Sequence, residues 1–314
     1  MIEKIFWVSV SALTIICFML YSKQKRYDDA SVFQLELAND GKTVEIIEYS
    51  GNEQTINGLT NFQTKPMDDG KSVEIIKYTG NDPIVNIPSR LDGKIVTGIG
   101  GFHRREIIKV NIPYSVTHIG ISAFESNPLT SVTIPNSVTH IGGNAFGSNQ
   151  LIYVTIPNSI TSIGESAFAN NKLTAITIPN SVTSIGQTAF HNNLLTSVTI
   201  PESVTSIAGF TFVNNKLTAV TIPNSVTSIG NGAFKNNLLT NVIVPNSVIS
   251  IGCYAFLDNP INSITIGANV LLGNYVFVND IDEEFEVIYN AQGRKAGTYT
   301  LTNGKWNLES RGQK

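Results

Sequence analysis

A period of 22 residues constrains this chain more than any other feature. Proline recurs at 113, 135, 157, 179, 201, 223 and 245, phenylalanine at 102, 124, 146, 168, 190, 212, 234 and 256, and asparagine at 127, 149, 171, 193, 215, 237 and 259. A fixed period of this length means one supersecondary unit per period, stacked on its neighbours into a solenoid. The coil that begins at Leu173 serves as the type. In L-T-A-I-T-I-P, strand alternation turns Leu173, Ile176 and Ile178 inward and Ala175 and Thr177 outward. Pro179 cannot donate to a ladder and ends the strand. The next run, N-S-V-T-S-I-G, places Val182 and Ile185 inside, and Gly186 allows a turn that a Cβ would obstruct. Ala189 and Phe190 then point inward, and Asn193 closes the coil. A coil with so few apolar anchors cannot bury a core alone, so the coils must share one.

The pattern N-x-L-x-x-V-x-I-P followed by S-V-T-x-I-G-x-x-A-F resembles the leucine-rich repeats of the BspA-like bacterial surface proteins, over roughly residues 83–278. The resemblance implies a β-rich leucine-rich repeat array of about nine 22-residue coils, closed by an N-terminal β cap and a C-terminal β-hairpin cap. It also implies an extracellular, surface-attached binding protein. It supplies no catalytic residues, and the asparagine series matches the stacked asparagines that bond turn backbone in such repeats.

Five segments follow: 1–21 a signal-anchor or signal peptide, 22–43 a linker, 44–106 an N-terminal β cap with a first irregular coil, 107–280 the solenoid, and 281–314 a C-terminal β cap and tail. The run 5–21 is apolar and uncharged, at the short edge of the about 17–25 residues a membrane span needs. No small-x-small cleavage site follows it, which favours an uncleaved anchor over a signal peptide. Lys23, Lys25 and Arg26 follow the run, a placement that by the positive-inside rule alone keeps the rest of the chain in the cytoplasm; the repeat family argues for export. Beyond the linker, D-G-K-T-V-E-I-I-E-Y-S-G-N at 40–52 returns as D-G-K-S-V-E-I-I-K-Y-T-G-N at 69–81, each copy reading as a strand between turns. Between Pro88 and Phe102 three residues are extra, and Asp92-Gly93-Lys94 is the place for a tight hairpin turn. The tail reads as three strands, F-E-V-I-Y-N, G-T-Y-T-L-T and K-W-N-L-E, with an Asn303-Gly304 turn, and with Tyr299 and Trp306 packed on the last coil.

Binding surfaces of solenoids usually lie on the strand face. Its outward positions read Ser131, Thr133, Tyr153, Thr155, Ala175, Thr177, Ser197, Thr199, Ala219, Thr221 and Asn241, continued by Ile243, Ser263 and Thr265. Such a ladder of small hydroxyl and methyl groups stabilises strand stacking by about 0.2–1 kcal/mol per pair and offers a flat surface to a protein or a glycan. Tyr153 is its one residue of the kind that dominates binding energy.

Other chemistry is poorly represented. The stretch 111–266 carries only Lys172, Lys216, Lys235, Glu125, Glu165, Glu202 and Asp258 as charges, too few cations to follow a phosphate backbone, so nucleic acid is excluded. Cys17 and Cys253 lie too far apart in the pattern to pair and show no metal-ligand spacing. His118 and His140 occupy equivalent places in adjacent coils, but Ser162 stands where a third ligand belongs. His103, Arg104 and Arg105 form a small basic cluster near the first coils. No phosphate loop, zinc-helix motif or nucleophile elbow occurs, and Glu283 and Glu284 sit beside an expected strand with no pocket implied. The expectation is a non-enzymatic, membrane-anchored surface protein without cofactor or metal, mediating protein binding or adhesion. The alternative is a structural spacer or envelope-organising element without a specific ligand.

Overall fold

The structure is a computed structural model that describes residues 32–37, 44–50, 61–277 and 282–309, and the chain divides into two compact units, 1–57 and 58–314. In the first, β1 (Val32–Leu37) and β2 (Val44–Ser50) form an antiparallel hairpin with a register shift between Gln34 and Leu35. In the second, β3 (Phe62–Pro66) and β4 (Ser72–Tyr78) form another, with the shift between Gln63 and Thr64. Phe33 pairs with Tyr49 in one and Phe62 with Tyr78 in the other, so the sequence duplication is a duplicated hairpin, bulge included. Two sequence expectations change. The stretch read as a linker, 22–43, contains β1, and the cap read as starting at 44 is divided between the two units. The apolar run 5–21 lies outside the described residues. Among the described residues, no helix is long and apolar enough to cross a membrane.

From residue 83 onward the chain winds as a β-solenoid of about nine turns. Most turns contribute a three-residue strand on one face and a two-residue strand on another, and most of these strands pair in parallel with an equivalent one coil away. Ser131–Thr133 pairs with Tyr153–Thr155, and His140–Ile141 pairs with His118–Ile119 and Ser162–Ile163. The proline that ends each strand opens a turn whose carbonyl accepts the amide three residues on, as from Val182 to Pro179 at 3.0 Å. The phenylalanines stack into a column, with ring centroids 5.7 Å apart from Phe168 to Phe190 and 5.5 Å from Phe190 to Phe212. All are buried, with the leucines, valines, isoleucines and alanines of each coil, in one continuous core. The asparagines close the coils. Asn193 Nδ2 donates to the carbonyls of Phe168, Phe190 and His191, and its Oδ1 accepts the Leu173 amide at 3.0 Å.

The glycine after each short strand is set by the neighbouring coil rather than by its own turn. A Cβ on Gly164 would lie 2.5 Å from the backbone of Gly142 and Gly143, and one on Gly186 2.5 Å from the Glu165 nitrogen. In the coil that breaks the pattern, Ala208 occupies this place. The Gly164 and Gly186 amides donate to the carbonyls of Ile141 and Ile163, and those of Gly230 and Gly252 to Ile207 and Ile229, but Ala208 makes no such bond to Ile185. The short-strand ladder stops there: Ser184–Ile185 ends one sheet and Ser206–Ile207 begins another. The Thr211 hydroxyl, buried where the other coils carry alanine, donates to the Ala208 carbonyl at 2.8 Å.

Both ends are closed. At the start, β4 pairs in parallel with β7 (Lys94–Ile99) after β5 (Ile84–Asn86) and β6 (Arg90–Leu91). The extra residues make the expected turn, with Asp92 and Gly93 both at positive φ between paired Leu91 and Lys94. Tyr78 stacks on Phe102 at 5.3 Å and so extends the ring column into the cap. At the far end F-E-V-I-Y-N is not a strand but part of a helix, α1 (Asp282–Ala291). Phe285 and Tyr289, one helical turn apart, are both buried, an i, i+4 stripe that overrides the local β propensity. Gly293 at φ 68 terminates the helix, and the Arg294 amide donates to the Tyr289 carbonyl. Phe285 meets Phe277 edge-on at 4.8 Å and ends the column. The Tyr289 hydroxyl accepts the Val270 amide at 3.0 Å and donates to the Gly267 carbonyl at 2.7 Å. It thereby bridges the turn that other coils close directly from proline. The hairpin Gly297–Thr302 and Lys305–Leu308, turning at Asn303-Gly304, extends the strand face, and Tyr299 and Trp306 are buried beneath it.

Candidate functional site

On the strand face, alternation sends the valine of each strand into the core and its two neighbours outward. Thr133, Tyr153, Thr155, Ala175, Thr177, Ser197, Thr199, Ala219, Thr221 and Asn241 are exposed, and Ser131 is half-buried. The register aligns them in rows: Ser131 with Tyr153, Thr133 with Thr155, Ser197 with Ala219, Thr199 with Thr221, and Asn241 with Ser263. The rows are discontinuous. Residues 173–178 run alongside without strand pairing, and Ile176, expected inside, is only half-buried against the core. Tyr153 at 64% and Ile243 at 67% exposure are the most exposed large apolar groups on the face, and Ile84 adds a third at its N-terminal end. From Ser131 to Thr265 no charged residue stands among the outward positions; Lys109, at the equivalent place in the coil before, is exposed at the N-terminal end of the face.

Groups able to hold a metal are not gathered. Among the described residues, no cluster of three or more His, Cys, Asp or Glu could bind one. His118 and His140 pair in register on the other face, each with its Nδ1 near the hydroxyl of the preceding threonine, at 3.4 Å and 2.8 Å. His118 leans over Gly98 beside Glu74. His103 and Arg104 are exposed and Arg105 half-buried. Glu283 and Glu284 begin a helix rather than flank a strand. Burial holds the His191 imidazole below its usual pKa, and its Nε2 lies 3.3 Å from Asn214 Nδ2. Burial likewise raises the phenols of Tyr289 and Tyr299. Sequence reasoning passes over a second exposed row, Phe210, Tyr254 and Tyr275, although each stands two residues before the phenylalanine column.

The family model described as BspA type leucine rich repeat region matches in six copies across residues 97–214 and 162–283, together more than half of the chain. A solved leucine-rich repeat protein from Bacteroides ovatus is 27% identical, with 69% of this chain and 67% of that one covered at a TM-score of 0.53. The T. pallidum leucine-rich repeat protein is 28% identical, over 56% of this chain and 86% of its own, at 0.51. A leucine-rich cell surface protein from Faecalibacterium prausnitzii is 28% identical, over 80% of this chain and 57% of its own, at 0.50. No curated protein matches the chain.

Proposed function

The chain belongs to the BspA-type leucine-rich repeat family, and from that premise we propose that it is a non-enzymatic surface protein whose strand face binds a protein partner in adhesion. The observation that carries this reading is Tyr153. It is a large aromatic side chain left exposed on a register-aligned face, where small, uncharged residues form the surrounding rows. Binding energy concentrates in such residues, and the small neighbours let a partner approach the backbone closely. An extracytoplasmic location is supported by the description of the F. prausnitzii relative as a cell surface protein, and the apolar run 5–21 would anchor the chain to a membrane. The spacer reading draws on the scarcity of other anchoring side chains on the same face.

The test is attachment of cells displaying the full chain to surfaces coated with matrix and host proteins. Charged replacements Tyr153→Asp, Thr177→Lys and Thr199→Lys should each lower attachment while the melting temperature holds. Attachment unchanged by all three points to the spacer.

A further inference from the structure

We propose that the exposed aromatic row Phe210, Tyr254 and Tyr275, with the amide ladder beside it, is a binding site for a neutral polysaccharide, separate from the strand face. From the coil of Phe124 onward, each coil has a residue at left-handed φ two places before its phenylalanine. In the first half of the array these are Ser122, Asn144, Ser166 and Thr188; in the second they are Phe210, Gly232, Tyr254 and Tyr275. Bulky residues are disfavoured there, and polar or glycine residues satisfy the backbone in the other coils. The aromatics do not serve the core, being 40%, 41% and 45% exposed. Strain accepted at an exposed position points to a ligand rather than to packing.

The row is organised. Tyr254 and Tyr275 stack with centroids 5.9 Å apart and planes within 1°. Gly232 has no side chain, and the Phe210 ring fills the space above it. Lys235 Nζ lies 5.8 Å over the Tyr254 ring and 3.6 Å from Asp258, so the local charges cancel. Four residues further along each coil runs a second left-handed row, Asn170, Asn192, Asn214, Asn236 and Asp258. Its amides are linked across coils, Asn192 to Asn170 and Asn236 to Asn214, both at 2.9 Å. Aromatic rings offer contact to the C–H faces of sugars. Primary amides donate and accept together, as paired hydroxyls require. The coil repeat offers the same groups at each step along a polymer. The balanced pair of charges favours an uncharged chain over a sulfated or carboxylated one.

Native gels cast with soluble dextran, laminarin, mannan or xylan test this on the full chain. At least one should retard it, and Tyr254→Ser with Tyr275→Ser, the residue type other coils carry there, should weaken that retardation about tenfold with the melting temperature unchanged or higher. Tyr254→Phe, which keeps the ring, and Tyr153→Ala, on the strand face, should leave it intact. No retardation by any neutral polymer, retardation insensitive to the serine pair, or retardation only by alginate or dextran sulfate would overturn the proposal. So would a protein bound at this row without any polysaccharide effect.

Discussion

The buried asparagines illustrate how a single side chain holds one coil to the next. Asn193 pairs three carbonyls and one amide of the turn, and its bonds to Phe168, Phe190 and Leu173 are buried. Losing the Asn193 side chain leaves the Phe168 and Phe190 carbonyls and the Leu173 amide unpaired, at about 1–3 kcal/mol each, whereas the His191 carbonyl keeps the Asn170 amide. Asn193→Ala should therefore cost about 3 kcal/mol or more in urea denaturation, whereas Asn192→Ala, on the exposed ladder, should stay within about 0.5 kcal/mol. Equal losses would mean that stacking, not the buried amide, secures the turn. Tyr289 acts similarly at the C-terminal cap, since its hydroxyl alone bridges Val270 and Gly267. Tyr289→Phe keeps the ring in place and should still cost about 1–3 kcal/mol. His191 carries a pH dependence of definite sign. Its pKa is lowered by burial, so the unfolded chain binds the proton more readily. Its contribution to stability is complete above the unfolded value of about 6.5 and falls as pH drops through it. His191→Asn should flatten the stability profile between pH 7 and 5; a profile unchanged by the substitution would show that another group sets it.

At the scale of the element, glycine placement decides whether a short strand can pair with the one before it. Gly164→Ala would force a Cβ into the backbone of Gly142 and Gly143 and should cost about 1–3 kcal/mol, read as lost amide-exchange protection at residues 162–164. The same comparison explains what the sequence reveals of its fold. The solenoid was legible because a 22-residue period repeats inward residues whose burial depends only on position in the coil. The phenylalanine column and the asparagine closure follow directly from that period, and the two N-G and D-G turns from their dipeptides. Helix α1 was not legible as a helix, because Phe285, Val287 and Tyr289 also alternate like a strand. Contact with Phe277, Tyr299 and Trp306 selects the helical stripe instead. The role of the glycine row was hidden for a related reason: its constraint comes from the backbone one coil away. The outward strand-face residues were readable as a surface, but the aromatic row was not, since left-handed φ leaves no mark on a Phe or Tyr in the sequence.

Across the whole solenoid, stability is a sum over coils and the junctions between them, so the weakest junction sets where the array divides. Most regular junctions are bonded on both faces or on the short-strand face alone. Between the coil containing Ser184–Ile185 and that containing Ser206–Ile207, neither ladder continues. The short strands are held apart at Ala208, and residues 173–178 offer no paired strand on the other face. What remains is the turn, where the amides of Thr188, Phe190, Asn192 and Asn193 reach carbonyls of the next coil, together with the backbone bonds from Leu194 to Leu173 and from Thr196 to Thr174, the hydroxyls of Ser203 and Thr211 on the carbonyls of Val182 and Gly186, the Asn215 side chain, and the ring column. Local unfolding follows the least-bonded seam. Urea should therefore open the array in two steps, with amide protection lost at different concentrations on the two sides of this junction. Ala208→Gly removes the obstructing methyl. Restored backbone bonds worth about 0.5–1.5 kcal/mol each, less about 0.5–1 kcal/mol for the freedom of glycine, give a net gain near 1 kcal/mol, placed at the one junction that limits cooperativity. The variant should merge the two steps and raise the lower midpoint. A wild-type array that opens in a single step, or a variant whose steps stay apart, would locate the weak seam elsewhere and remove Ala208 as its cause.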